Sequence, residues 1–189
     1  GRPDAKSQKL IEASPNFNGK VFINLEPTID MVKKNPQASM LNYVPQALFP
    51  PKGKLPTKPL PNLKFDANAL KNGEFIWLGH VSLICKLDGK TIITDPVLHR
   101  AFPLPVGGKP FAYEHAITAS DYPEVIDVAL ISHDHYDHLD YKTILELKDR
   151  IAKFLVPLGV KAHLVKWGVN ADKIYEFDWF NEKKIGNLN

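Results

Sequence analysis

From Gly73 onward, short apolar runs alternate with polar turns at a spacing that predicts strands. Phe75-Ile76-Trp77-Leu78 and Val81 to Leu87 are the first two, followed by Asp88-Gly89 and then Thr91-Ile92-Ile93-Thr94. Asp-Gly between apolar runs is a strong signal for a two-residue hairpin turn, so these segments predict a β-meander. Alternation with Ile76 and Leu78 places Phe75 and Trp77 in core packing, and the apolar neighbours of Cys85 place it on a buried strand. A stretch containing Pro and Gly runs from Pro96 to about Pro123, and Val125 to Ser132 then predicts a further strand. Tyr141 to Lys153 carries Ile144, Leu145, Leu147 and Ile151 at near-helical spacing. Phe154-Leu155-Val156 predicts a short strand, Val160 to Trp167 a second helix and Ile174-Tyr175-Glu176-Phe177 another strand. The alternation of strand and helix defines an α/β (layered α+β) class with helices on at least one sheet face.

The first 70 residues differ in kind. They hold ten of the sixteen prolines, including Pro50-Pro51 and the spaced Pro56, Pro59 and Pro61. Proline lacks the donor that helices and central strands need, so 1–70 is expected to be an extended Pro-rich arm, with 71–189 as the packed unit. Two short helices fit within the arm, at Ala5 to Ala13 and Ile29 to Lys34.

Composition narrows the function classes. At 189 residues, 44% of them hydrophobic, the chain can bury a core of ordinary size. The net charge of +3 comes from 24 basic and 21 acidic side chains scattered without a long run of one sign. That balance offers no basic, aromatic-interleaved patch for a nucleic acid. With one cysteine, no intramolecular disulfide forms. No apolar run approaches the roughly 18–20 residues needed to span a bilayer.

The candidate chemistry lies just after the strand that ends at Ile131-Ser132. His133-Asp134-His135-Tyr136-Asp137-His138-Leu139-Asp140 packs three of the seven histidines and three carboxylates into eight residues. Side chains two apart in an extended segment point the same way, so His133 and His135 can share one metal ion. Asp137 and His138, one turn on, can face a second. Two ions about 3.5–4 Å apart can lower the pKa of a shared water and stabilise attacking and leaving oxygens. Imidazole with carboxylate fits zinc best, with manganese or iron as alternatives. A calcium loop is disfavoured, because the alternating Asp134, Tyr136, His138 lacks the next oxygen ligands and no Gly follows. Asp140 is placed to cap the helix that begins near Tyr141.

His-x-His-x-Asp-His after an apolar strand resembles the signature of the metallo-β-lactamase fold superfamily. The longer text is similar, in order and spacing, to the branch containing N-acylphosphatidylethanolamine-hydrolysing phospholipase D and its bacterial relatives. It runs through Ile76-Trp77-Leu78-Gly79-His80, Ile93-Thr94-Asp95-Pro96, Ile131 to Asp140 and Pro157-Leu158-Gly159. Ascorbate-6-phosphate lactonases are more distant. The resemblance implies the first half of a four-layer αββα sandwich, preceded by the arm. It also implies His133 and His135 on one metal, and Asp137 and His138 on the other as the catalytic pair. Asp95 would support the histidines from behind, where it is a natural acceptor for a ligand's free N–H. Asp134 is a further supporting candidate, and His80 and Tyr136 are candidates to contact substrate.

In the family, a further His, a bridging Asp and a final His from later in the chain complete the site. After His138 this sequence offers only His163, which is expected to be surface or interhelical. The chain is therefore expected to be a fragment, or a half whose remainder is a separate polypeptide. The leading expectation is a metal-dependent hydrolase of phosphodiesters, with a small-molecule or phospholipid substrate and two divalent ions; the compartment stays open between a bacterial membrane-associated or periplasmic setting and a cytoplasmic one. The alternatives are a sugar-phosphate lactonase of the same fold and a non-catalytic half-domain that needs a partner.

Overall fold

The computed structural model describes residues 1–26, 49, 52–53, 55–101 and 108–188. The expected helix at Ile29 to Lys34 lies outside them. Among the described residues, six strands form one sheet in sequence order: β1 (Phe75–Gly79), β2 (Ser82–Leu87), β3 (Lys90–Thr94), β4 (Ile126–Leu130), β5 (Ile151–Pro157) and β6 (Ile174–Phe177). The first three pair antiparallel and β3 to β6 pair parallel. Asp88 and Gly89 turn the β2–β3 hairpin with φ of 47° and 70°, the doubly left-handed backbone that Asp-Gly tolerates. Helices α2 (Tyr141–Leu147) and α3 (Lys161–Lys166) lie in the crossovers to β5 and β6, and α1 (Ala5–Ala13) precedes the sheet.

Register explains where the core sits. Ile76, Ile84, Ile93, Ala129, Phe154 and Ile174 are successive partners across all six strands and so share one face. All but the half-buried Ile76 are buried in one cluster with Ile144 and Leu147 of α2 and Leu164 of α3. The neighbouring rows, Phe75-Cys85-Ile92-Val128 and Trp77-Leu83-Thr94-Leu130-Leu155, point to the opposite face. There Phe75 is 68% and Trp77 65% exposed, so neither packs in the core as alternation predicts, and Cys85 is only half-buried. Apolar rows on both faces reveal an amphipathic period without saying which face is covered.

A second correction concerns α2. The spacing carries this helix to Lys153, yet it stops at Leu147. The chain turns through 148–150, where the Arg150 N–H donates to the Leu147 carbonyl at 3.0 Å, and Ile151 then pairs with Ile126 in the sheet. Ile151 is fully buried, so its apolar character continues the helical spacing by coincidence of burial.

The start of the chain docks on this unit. Asp4 caps α1 by accepting from the Ser7 N–H at 2.8 Å. Ser7 Oγ donates to Glu176 of β6, whose other oxygen accepts from the Gly159 N–H at 2.7 Å. Asn16 reaches Asp178 at 3.2 Å. No helix among the described residues is long and apolar enough to cross a membrane.

Asp127 links β3 to β4, accepting from the Thr91 N–H at 2.9 Å and from Lys90 Nζ at 3.0 Å. Burial pushes its carboxyl upward, but the Thr91 N–H and Lys90 outweigh it and hold it below its ordinary 3.8. A depressed carboxylate stabilises the fold above its unfolded pKa and loses that contribution as pH falls through the folded value. Asp127→Asn is therefore expected to lower the urea midpoint at pH 7 and to lose most of that difference well below pH 3.8. A gap independent of pH would assign the effect to packing instead.

Candidate metal centre

The site forms at the carboxyl end of the sheet, where β3 and β4 run parallel and end side by side. Asp95, one residue past β3, is 5% exposed and adopts a left-handed backbone at φ 36°. Its carboxylate is fully engaged. Oδ1 accepts from the Ser132 N–H at 2.7 Å, and Oδ2 accepts from Ser132 Oγ at 2.6 Å and faces His138 Nδ1 at 2.9 Å. Ser82 Oγ donates to the Asp95 carbonyl at 2.6 Å, which ties the turn to β2. A bulky residue in this conformation would be strained; Asp, with its short polar side chain, tolerates it.

The following loop is locked to α2. Asp140 caps that helix through the Lys142 N–H at 3.3 Å, and its buried carboxylate also accepts from Thr143 Oγ1 at 2.5 Å and the His99 N–H at 3.0 Å. The Leu98 N–H donates to Thr143 Oγ1 at 2.9 Å. Together these bonds fix Asp95 between a strand end and a helix start.

Opposite Asp95, the chain leaving β4 makes a tight turn in which His138 and Leu139 N–H groups both donate to the His135 carbonyl, at 3.0 and 2.8 Å. The turn sets the His133 ring edge-on to that of His135, with centroids 4.5 Å apart, and tilted against that of His138 at 3.9 Å. Burial first, then the neighbouring imidazoles of His138 and His135, holds His133 below the usual histidine range. A ligand imidazole must be neutral, so this shift favours metal binding.

Among the described residues, one group brings three donors within 4.8 Å of one another: His80, Asp137 and His138. His80 Nε2 lies 3.2 Å and His138 Nε2 3.7 Å from Asp137 Oδ2. On Asp137, burial acts upward, but its own backbone N–H and the imidazoles of His138, His80 and His135 outweigh it and hold the carboxyl low.

The remaining candidates sit apart. Asp134 turns away and lies 3.7 Å from His163 Nε2 of α3, and Tyr136 is 49% exposed at the loop surface. His163 is half-buried against Trp167, His99 bonds to Glu146 at 2.9 Å, and His115 meets Asn62 through its backbone. Ser132 is a site residue that the spacing argument misses. Its hydroxyl lies within 3.1 Å of Asp95, His133 and His138 together. A serine at the last position before the first His is the signal that could have found it.

The donor chemistry suits a divalent ion. With Nδ1 held by the Asp95 carboxylate, His138 carries its proton there and leaves the Nε2 lone pair facing Asp137. Residues 90–188 match the family model described as "Beta-lactamase superfamily domain", just over half of the chain. The chain belongs to this superfamily. An uncharacterized protein of Mycobacterium tuberculosis, Rv0906, is 34% identical over 195 residues, covering 100% of this chain and 51% of its own length. N-acyl-phosphatidylethanolamine-hydrolyzing phospholipase D 1 of Caenorhabditis elegans is 36% identical over 131 residues, covering 65% of this chain and 36% of that protein. A UPF0173 metal-dependent hydrolase of Hyperthermus butylicus is 32% identical over 79 residues, 42% of this chain and 29% of that protein. The chain thus spans about half the length of the first of these relatives. The superfamily accounts for the architecture: a mixed α/β half-sandwich with helices on one face and the histidine motif at the strand ends.

Proposed function

We propose that this chain carries the first part of the metal centre of a hydrolase acting on phosphodiesters, of which phospholipids are the leading class. The observation that carries the reading is the Asp95–His138–Asp137 line, where a buried carboxylate fixes one imidazole so that its free nitrogen faces another carboxylate. Divalent ions at such a centre supply Lewis acidity and lower the pKa of bound water. His133 and His135 would hold one ion, and Asp137 and His138 the other. The protein's part is to hold these imidazoles in orientation, through Asp95, Ser132 and the turn closed on the His135 carbonyl. The similarity to the C. elegans phospholipase supports the phosphodiester class.

The exposed apolar patch of Phe75 and Trp77 supports a site finished by further polypeptide packed there. The test is hydrolysis of a bis(aryl) phosphate and of N-acylphosphatidylethanolamine vesicles, against a sugar-phosphate lactone. The chain is assayed alone and with the carboxyl-terminal half of the mycobacterial relative, after chelation and after restoring zinc, manganese or iron. Metal-restored phosphodiester turnover is the expected result. Turnover of the lactone alone would replace the substrate class, and bound metal without turnover of any substrate would make the chain a binding module.

A further inference from the structure

We infer that His80 is itself a metal ligand, closing with Asp137 and His138 a three-donor divalent-cation site built from this chain alone. The inference rests on the metal-dependent reading above and extends it to a residue about 50 positions before the histidine motif. Tetrahedral zinc holds nitrogen and oxygen donors at about 2.0–2.2 Å, which sets neighbouring donor atoms roughly 3.3–3.5 Å apart. The Asp137 carboxylate lies 3.2 Å from His80 Nε2 and 3.7 Å from His138 Nε2, so the donors already stand near the edges of such a polyhedron. The two imidazoles meet edge-on with ring centroids 5.1 Å apart, and one ligand atom from each of the three residues lies within 4.8 Å of the others.

The turn that presents His80 is built and held. The β1–β2 pairing slips between Trp77 and Gly79, an irregularity that re-aims the following side chain. Gly79 takes φ 103°, and a Cβ there would come within 2.9 Å of Tyr113 Oη, so only glycine fits. His80 follows at φ 48°, a left-handed backbone that is strained for a non-glycine residue. The Trp77 indole N–H donates to the His80 carbonyl at 3.0 Å and pins the turn. These features direct the imidazole at Asp137, and the side chain remains 58% exposed.

A role for His80 in contacting substrate predicts metal affinity independent of this residue; ligation predicts the reverse. The test is cobalt(II) binding to the 189-residue chain, followed by calorimetry and visible absorption, in the wild type, His80→Asn and His133→Ala. Asn tolerates the left-handed backbone, so His80→Asn keeps the turn while removing the imidazole. The expected result is that His80→Asn weakens one equivalent by about 100-fold and alters its absorption band, while His133→Ala leaves that equivalent bound. Equal affinity and an unchanged spectrum in His80→Asn would overturn the inference and leave the metal reading standing. A wild type that binds no cobalt would overturn both. Ring-nitrogen chemical shifts of His80 in the wild type, with and without zinc, give the same answer if the variant fails to fold: a zinc-induced shift at Nε2 supports ligation, and its absence overturns it.

Discussion

Phe154→Ala is expected to cost the fold about 3–5 kcal/mol. Phe154 is fully buried at the centre of the covered face, between Ala129 on β4 and Ile174 on β6. It shares one cluster with Ile144, Leu147 and Leu164, so truncation leaves a void that both helices and three strands would have to fill. A domain of this size has roughly 5–15 kcal/mol in all, and a sheet whose opposite face is open around Phe75 and Trp77 belongs near the lower end. The variant should therefore unfold at or near room temperature. Trp77→Ala, on the open face at 65% exposure, is the control and should move stability by about 0.5 kcal/mol or less. The check is urea denaturation with the slope held constant, comparing midpoints. A Phe154→Ala midpoint close to wild type, or a Trp77→Ala loss as large, would mean that the covered and open faces have been exchanged.

That pairing also shows why the sequence exposes some features and hides others. Strand positions and the Asp88-Gly89 hairpin are local events of backbone sterics, and they fall where the pattern puts them. The histidine motif is legible as a local feature for the same reason: His135, Asp137 and His138 lie in one turn closed on the His135 carbonyl. Asp140 caps α2 as a short polar residue before a helix should. What the pattern could not carry depends on distant contacts. Nothing local to Phe75 and Trp77 says which sheet face the helices cover. Nothing near Leu147 announces that Ile151 will leave a helical period to pair with Ile126. The Ser7 bond to Glu176 joins residues at opposite ends of the chain, and the approach of His80 to Asp137 depends on a bulge and on Tyr113 from another loop.

Asp95→Asn is expected to weaken metal binding by about 10–100-fold, or about 1.4–2.7 kcal/mol, while leaving the fold intact. The argument turns on a proton. In the wild type the Asp95 carboxylate accepts from His138 Nδ1 at 2.9 Å, so the imidazole proton sits on Nδ1 and the Nε2 lone pair faces Asp137. An amide at position 95 keeps the shape, tolerates φ 36° and can still accept from the Ser132 N–H. Its NH2 group, however, donates toward Nδ1. That favours the other tautomer, moves the proton to Nε2 and blocks the atom a metal would use. A loss of packing would instead show as a lower urea midpoint without a change in tautomer. Ring-nitrogen shifts of His138 in the metal-free variant separate the two, since the proton should appear on Nε2. Wild-type affinity with the proton still on Nδ1 would show that Ser132, whose hydroxyl lies 3.1 Å from the same nitrogen, fixes the imidazole by itself.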